Sequence, residues 1–168
     1  MANFYTQFSC LLPVRSAANI PAALDLYAQL KSELDAEGET IGFSVEPAQK
    51  AGHEAMLWLW DEDGGGEPEH VIAFAFRCAA AFGLTGRWGF AWSLSCSRPR
   101  IDGFGGGAQV LDLGRRESVA WVDCENWLAE LTGRNSLPED GRNPAAVQAG
   151  SRGRGPTTAH SEDPGSAT

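Results

Sequence analysis

Carboxylate groups are concentrated in one region of this 168-residue chain. Residues 25–69 hold twelve Asp and Glu side chains against two lysines, a net charge of about −10, whereas the whole chain has −9. A concentrated negative charge repels nucleic acid and attracts basic surfaces. The chemistry that this pattern indicates is charge complementarity with a basic partner, and no local nucleophile motif such as G-x-S-x-G accompanies it.

The carboxylates that we expect to bind the partner lie around the end of the first predicted helix and the start of the second. They are Asp35, Glu37, Glu39, Asp61, Glu62, Asp63, Glu67 and Glu69. Their expected role is to raise the association rate with a basic protein surface, an attraction that salt screens within about 8–10 Å. Because the same charge repels nucleic acid, we expect no direct binding to nucleic acid.

A second constellation lies in the predicted loop at residues 97–107. Its two guanidinium groups suit carboxylate or phosphate, and a glycine run follows that permits a sharp turn or a close approach to a partner. A phosphate loop would lead into a helix and usually carry G-K-[ST], whereas a strand is predicted to follow here. The alternative function is a small-ligand-binding protein or enzyme that uses Arg98, Arg100, Asp102 and Phe104. Pairing of both arginines with the acidic region is the competing interpretation.

Metal and cofactor sites are not expected. Asp61 to Asp63 and the three following glycines resemble a calcium loop in composition, but the twelfth position from Asp61 is Ile72 and not Glu. No two histidines have metal-binding spacing, and the four cysteines show no C-x-x-C pairing. We therefore expect no metal, no cofactor and four reduced thiols.

Composition divides the chain near residue 133. All six Trp and eight Phe precede residue 134, whereas residues 134–168 lack Phe, Trp, Tyr, Ile, Met and Cys. A segment without large apolar side chains cannot bury enough surface to offset its ordering entropy. We predict one globular domain at residues 1–133, with most of its tryptophans in the core, and a disordered tail at residues 134–168.

Targeting features point to the cytoplasm. No basic residue precedes the first apolar run, which ends at Pro13, so we expect no signal peptide. The longest apolar stretch, Val71 to Leu84, is interrupted by Arg77 and is shorter than the roughly 18 residues that a membrane span needs. We therefore expect a cytoplasmic protein without membrane contact.

The elements that must position these residues follow from hydrophobic periodicity and from Pro and Gly punctuation. Strands are predicted at 4–12, 41–45, 55–60, 88–96, 108–113 and 118–122, and helices at 21–37, 68–82 and 124–131. This order predicts an α+β domain, in which two or three helices pack on a mostly antiparallel mixed sheet of about six strands.

The segment from Trp88 to Trp121, which begins W-G-F-A-W-S-L-S-C-S-R-P-R-I-D-G-F-G-G-G-A, and the start N-F-Y-T-Q-F-S-C carry a resemblance. The chain resembles small uncharacterised acidic proteins carried on bacterial integrative and conjugative elements, over roughly residues 2–133. The resemblance implies no activity and no functional residue. It implies a context, because accessory genes of mobile elements often act against host defence.

Three hypotheses follow. The leading one is a non-enzymatic acidic protein that binds a basic protein surface and acts as a nucleic-acid mimic against restriction or CRISPR machinery. The second is the ligand-binding protein or enzyme built on residues 98–107, and the third is an accessory or immunity-like domain whose acidity serves only solubility. Carboxylates gathered on one face favour the first, a deep pocket at Arg98 favours the second, and scattered acidity favours the third.

Overall fold

The computed structural model describes residues 2–48, 55–100 and 103–132. Within these residues the strands are β1 (Phe4–Pro13), β2 (Phe43–Ala48), β3 (Met56–Asp61), β4 (Arg87–Cys96), β5 (Gly105–Asp112) and β6 (Glu117–Asp123). The helices are α1 (Ile20–Glu37), α2 (Pro68–Phe82) and α3 (Cys124–Thr132), and a short 3₁₀ turn at Ala17–Asn19 precedes α1. The predicted α+β fold, with about six strands and two or three helices, is confirmed.

The six described strands form a single antiparallel sheet in the order β2-β3-β1-β4-β5-β6. β2 and β3 pair in antiparallel orientation, with Phe43 opposite Asp61. The first strand of the chain, β1, lies in the middle of the sheet. It pairs with β3 on one side and with β4 on the other, and so joins β2 and β3 to β4, β5 and β6.

Helix α1 begins one residue before Pro21 and α2 begins at Pro68, and each ends just before a glycine. Each has a proline in its first turn, and each is capped by a glycine in the left-handed conformation, Gly38 with φ 80° and Gly83 with φ 61°. Their inner faces contribute Leu30, Leu34, Val71, Phe74 and Cys78, among others, to a core shared with β1 to β5. The two helices therefore cover one face of the sheet.

The prediction of a loop at residues 97–107 is wrong at the C-terminal end of that range. Gly105 to Gly107 belong to β5 and pair with Leu94, Ser93 and Trp92 of β4. A Cβ atom at Gly107 would lie 2.6 Å from both the Trp92 indole and the Val122 carbonyl oxygen. Glycine is poor in strand propensity, but here its missing side chain makes room for the Trp92 indole.

The prediction that most tryptophans pack in the core is also wrong. Trp88 is 9% exposed, whereas Trp58, Trp121 and Trp127 are 40%, 48% and 55% exposed. Alternation along a strand shows which side chains share a face, but it does not show which face the helices cover.

Two predictions fall outside the described residues. The tail at 134–168 lies beyond them, and so does Asp102. Among the helices that the structure describes, none combines the length and the apolar character that a bilayer crossing requires.

Candidate functional site

The end of α1 and the start of α2 lie side by side, because the two helices run antiparallel. The Arg77 guanidinium of α2 pairs with the Glu33 carboxylate in the C-terminal half of α1. The His70 ring, in the first turn of α2, has Nδ1 3.3 Å from the Ile41 carbonyl oxygen and Nε2 3.3 Å from Glu39 Oε2. These contacts hold the segment that follows α1 against the first turn of α2.

The loop between β3 and α2 joins the same end of the domain. The Thr6 backbone N–H donates to the Gly64 carbonyl oxygen at 2.7 Å, which ties the loop to β1. On its other side the loop meets Gly42, where a Cβ atom would lie 2.2 Å from the Gly65 carbonyl oxygen. The loop is thus held between β1 and the segment that follows α1.

Three segments carry seven exposed carboxylates: the end of α1 with the residues that follow it, the loop between β3 and α2, and the first turn of α2. We call this set of carboxylates the acidic end. Its members are Asp35, Glu37, Glu39, Glu62, Asp63, Glu67 and Glu69. Glu39 is paired with His70, and within the described part of the chain the other six form no ion pair. The structure therefore gathers seven of the eight carboxylates that the sequence predicts for partner binding.

The eighth, Asp61, has a different role. It is half-buried, and its two carboxylate oxygens accept hydrogen bonds from the backbone N–H groups of Gly64, at 2.9 Å, and Gly66, at 3.2 Å. Such local bonds from an Asp side chain fix a turn. Asp61 therefore shapes the loop that presents its neighbours, and both of its oxygens are already engaged.

The electrostatics of the acidic end extend into the domain. Burial raises the pKa of the Tyr27 hydroxyl, and the negative charge of Glu62 raises it further. By contrast, hydrogen bonding to Arg77 lowers the pKa of the exposed Glu33 carboxyl. Glu33 is thus neutralised within its own helix pair and does not belong to the acidic end.

The helix dipole acts differently on the two helical parts of the acidic end. Glu69 lies in the first turn of α2, where a negative charge is favourable. Asp35 and Glu37 lie in the last turn of α1, which carries no basic residue. A carboxylate at a helix C-terminus is unfavourable. We expect each one to cost about as much free energy as a carboxylate at a helix N-terminus contributes, roughly 0.3–1 kcal/mol. These two charges therefore lower the stability of α1.

Three residues of the alternative site, Arg98, Arg100 and Phe104, lie between the end of β4 and the start of β5, and Asp102 lies outside the described residues. Arg98 and Phe104 are exposed, and the Arg100 guanidinium lies 5.8 Å from the centroid of the Phe4 ring. An open groove of about 560 Å³ lies elsewhere, at β1 to β3, and none of these residues lines it.

That groove is a feature that the sequence analysis missed. It is lined by Ser9, Cys10, Leu11, Glu46, Pro47, Ala48 and Trp58, and we call it the Trp58 groove. The available signal was the alternation of Trp58 and Trp60 with Leu57 and Leu59 in β3, which puts the indoles on the face opposite the leucines.

Burial affects two of the four thiols. Burial raises the pKa of the Cys10 and Cys78 thiols to about 12, which disfavours the reactive thiolate. In residues 2–48, 55–100 and 103–132, no three His, Cys, Asp or Glu side chains are arranged to hold a metal ion.

Comparison with known proteins adds no relative: no family model matches this chain, and no curated protein or solved structure is found to be similar.

Proposed function

We propose that this protein is a non-enzymatic interaction protein whose acidic end binds a basic surface of another protein. The observation that carries the proposal is that the end of α1, the loop before α2 and the first turn of α2 contact one another and together carry seven exposed carboxylates. Six of them have no ionic partner among the described residues. Their summed field attracts and orients a basic partner before contact.

The position of the charges supports recognition over solubility. Asp35 and Glu37 lie where the dipole of α1 opposes them, and the last turn of α1 has no basic residue to offset them. Solubility would be served equally well by carboxylates at positions without this cost. A loss of stability that serves a binding surface is the better account of this arrangement.

The rigidity of the supporting elements also favours binding. Leu30 and Leu34 of α1 and Val71 and Phe74 of α2 are buried, and Asp61 and Thr6 hold the intervening loop by hydrogen bonds. The backbone positions of the carboxylates are therefore fixed before a partner arrives. A preorganised surface loses less conformational entropy on association.

The basic surface that we propose as the target is a nucleic-acid-binding surface. Such surfaces carry clustered Lys and Arg that neutralise phosphates, and a cluster of carboxylates competes for the same side chains. The resemblance to proteins of integrative and conjugative elements extends the proposal to restriction or CRISPR machinery of the host.

A pair of matched charge-reversal variants tests the proposal. The first replaces Glu37, Glu67 and Glu69 by Lys, and the control replaces Asp25, Glu117 and Glu130 by Lys. All six carboxylates are exposed, and both variants change the net charge by the same amount. Each tagged protein and the wild type is used to isolate partners from a bacterial lysate at low and high salt, with quantification by mass spectrometry.

We expect the wild type and the control to retain the same basic nucleic-acid-binding protein at low salt, and the acidic-end variant to lose it. Duplex DNA added to the captured complex should release the partner. The proposal is wrong if all three proteins retain the same partners in the same amounts, or if capture is unaffected by salt.

A further inference from the structure

The outer face of the sheet, away from α1 and α2, carries an aromatic pair that the acidic end does not include. Leu57 and Leu59 of β3 are fully buried under the helices, and Trp58 and Trp60 alternate with them. The two indoles therefore lie on the outer face. They stack on each other, with ring centroids 4.2 Å apart and an interplanar angle of 25°.

Trp58 is held in position although it is exposed. One contact is the stacking on Trp60, and the other is the hydrogen bond from Trp58 Nε1 to Ser9 Oγ at 2.8 Å. The side chain nevertheless remains 40% exposed. A large aromatic surface that is fixed in orientation and left in water is suited to hold a ligand against the ring.

Glu46 gives the Trp58 groove its charge. It is directly opposite Trp58 in the pairing of β2 with β3, it is exposed, and among the described residues that line the groove it is the single charged one. The other lining residues that the structure describes are apolar or uncharged. The groove thus combines an indole and a carboxylate on neighbouring strands, which is complementary to a cation with a flat, weakly hydrated surface.

We propose that the Trp58 groove binds an arginine side chain of a partner protein, with the guanidinium stacked on Trp58 and hydrogen-bonded to Glu46. A guanidinium is planar and can stack and donate to a carboxylate at the same time, which a lysine ammonium cannot do as well. The proposal rests on the proposed function only in taking a basic protein as the source of the arginine. It assigns a second contact, on a different surface from the acidic end.

Pro47 favours insertion of a side chain over addition of a strand. β2 is an edge strand, and Pro47 at this edge has no backbone N–H to donate to an added strand. The groove beside it is open to side chains that approach the indole. A partner is therefore expected to contribute an arginine to the groove without extending the sheet.

The experiment is a titration of the full-length protein with N-acetyl-arginine amide, followed by the indole N–H signals in a ¹H–¹⁵N spectrum. N-acetyl-lysine amide, N-acetyl-glutamine amide and tetramethylammonium are titrated in parallel. We expect a saturable shift of the Trp58 indole signal with the arginine compound, at concentrations about two- to fivefold lower than with the lysine compound. The glutamine compound should produce no saturable shift.

Two variants and their matched controls complete the test. Glu46→Gln should weaken arginine binding several-fold, and Trp58→Leu should abolish it, with the Leu11 backbone amide as the reporter. Glu117→Gln and Trp121→Leu change an exposed Glu and an exposed Trp on β6 and should leave binding unchanged. Folding of each variant is checked from the dispersion of the same spectrum.

Equal shifts with the arginine and glutamine compounds, or unchanged arginine binding in Glu46→Gln, would overturn the proposal. A response confined to tetramethylammonium would also overturn it and would indicate a small quaternary ammonium ligand. Arginine binding should persist in the Glu37, Glu67 and Glu69 to Lys variant. Failure of the groove and failure of the acidic end can therefore be told apart.

Discussion

Two parts of the domain differ in whether the helices α1 and α2 cover them. Strands β1 to β3 lie under α1 and α2, and their inward side chains Leu12, Leu57 and Leu59 are fully buried. At the other edge, β6 and α3 contribute no buried residue, and Trp121 and Leu131 are 48% and 69% exposed. Burial in this protein is therefore set by the two long helices and not by the hydrophobicity of a segment.

The proposed functional surfaces both belong to the covered part. The acidic end is carried by α1, α2 and the loop before α2, and the Trp58 groove by β1 to β3. Charged or aromatic side chains on the outside of a packed layer can be replaced with little change in stability. We therefore expect binding and folding to respond to different residues within the same part.

Thiol reactivity gives the largest expected contrast. Cys78 of α2 is fully buried, and burial raises the pKa of its thiol to about 12, which disfavours the reactive thiolate at pH 8. Cys124, the first residue of α3, is exposed. We expect iodoacetamide at pH 8 to modify Cys124 in the native protein and Cys78 only in denaturant, as read by peptide mass spectrometry. Modification of Cys78 at a comparable native rate would show that α2 is not a stable cover.

Replacing a buried aromatic residue under the helices should destabilise the protein far more than replacing an exposed one in β6. Phe74 is fully buried and packs against Tyr27 and Phe43, at ring centroid distances of 5.9 and 6.1 Å. Because Phe74→Ala leaves a cavity, we expect a loss of about 3–5 kcal/mol in the free energy of unfolding, measured with urea. The matched change Trp121→Ala in β6 should cost less than about 1 kcal/mol. Similar losses for both would contradict the unequal coverage of the two parts.

Two glycine-to-alanine substitutions test a smaller effect on the free energy of unfolding. A Cβ atom at Gly107 would lie 2.6 Å from the Val122 carbonyl oxygen and from the Trp92 indole, whereas a Cβ atom at Gly65 would meet nothing within 4 Å. We expect Gly107→Ala to lower the free energy of unfolding by about 1–3 kcal/mol, because β5 must shift away from its neighbours. Gly65→Ala should change it by less than about 0.5 kcal/mol. If Gly107→Ala were as mild as Gly65→Ala, the close approach of Trp92 to β5 would be wrong.

Much of the fold could be predicted from local signals. The sequence predicts α2 at 68–82, as observed, because Pro68 and Gly83 punctuate an apolar run. Asp123 precedes α3 and has a residue type that caps helices, and its Oδ1 accepts a hydrogen bond from the Asn126 backbone N–H at 2.8 Å. The start of β5 could not be predicted, because the need for glycine arises from the Trp92 indole on the neighbouring strand.

The candidate site was predictable in composition but not in arrangement. Twelve carboxylates in residues 25–69 are evident from the sequence, whereas their gathering depends on the antiparallel contact of α1 with α2. The internal bonds of Asp61 depend on the conformation of its loop. The exposure of Trp58 depends on which face of the sheet the helices cover. Each of these is a long-range or conformational property that spacing does not encode.

The most direct test of the central claim is the association rate constant of the captured partner, measured by stopped flow at about 50 and 300 mM NaCl for the wild type and the two charge-reversal variants. For the wild type and the Asp25, Glu117 and Glu130 to Lys control, we predict fast association that slows at least about tenfold at the higher salt. For the Glu37, Glu67 and Glu69 to Lys variant, we predict slow association with little salt dependence. Equal rates and equal salt dependence for all three proteins would contradict the account.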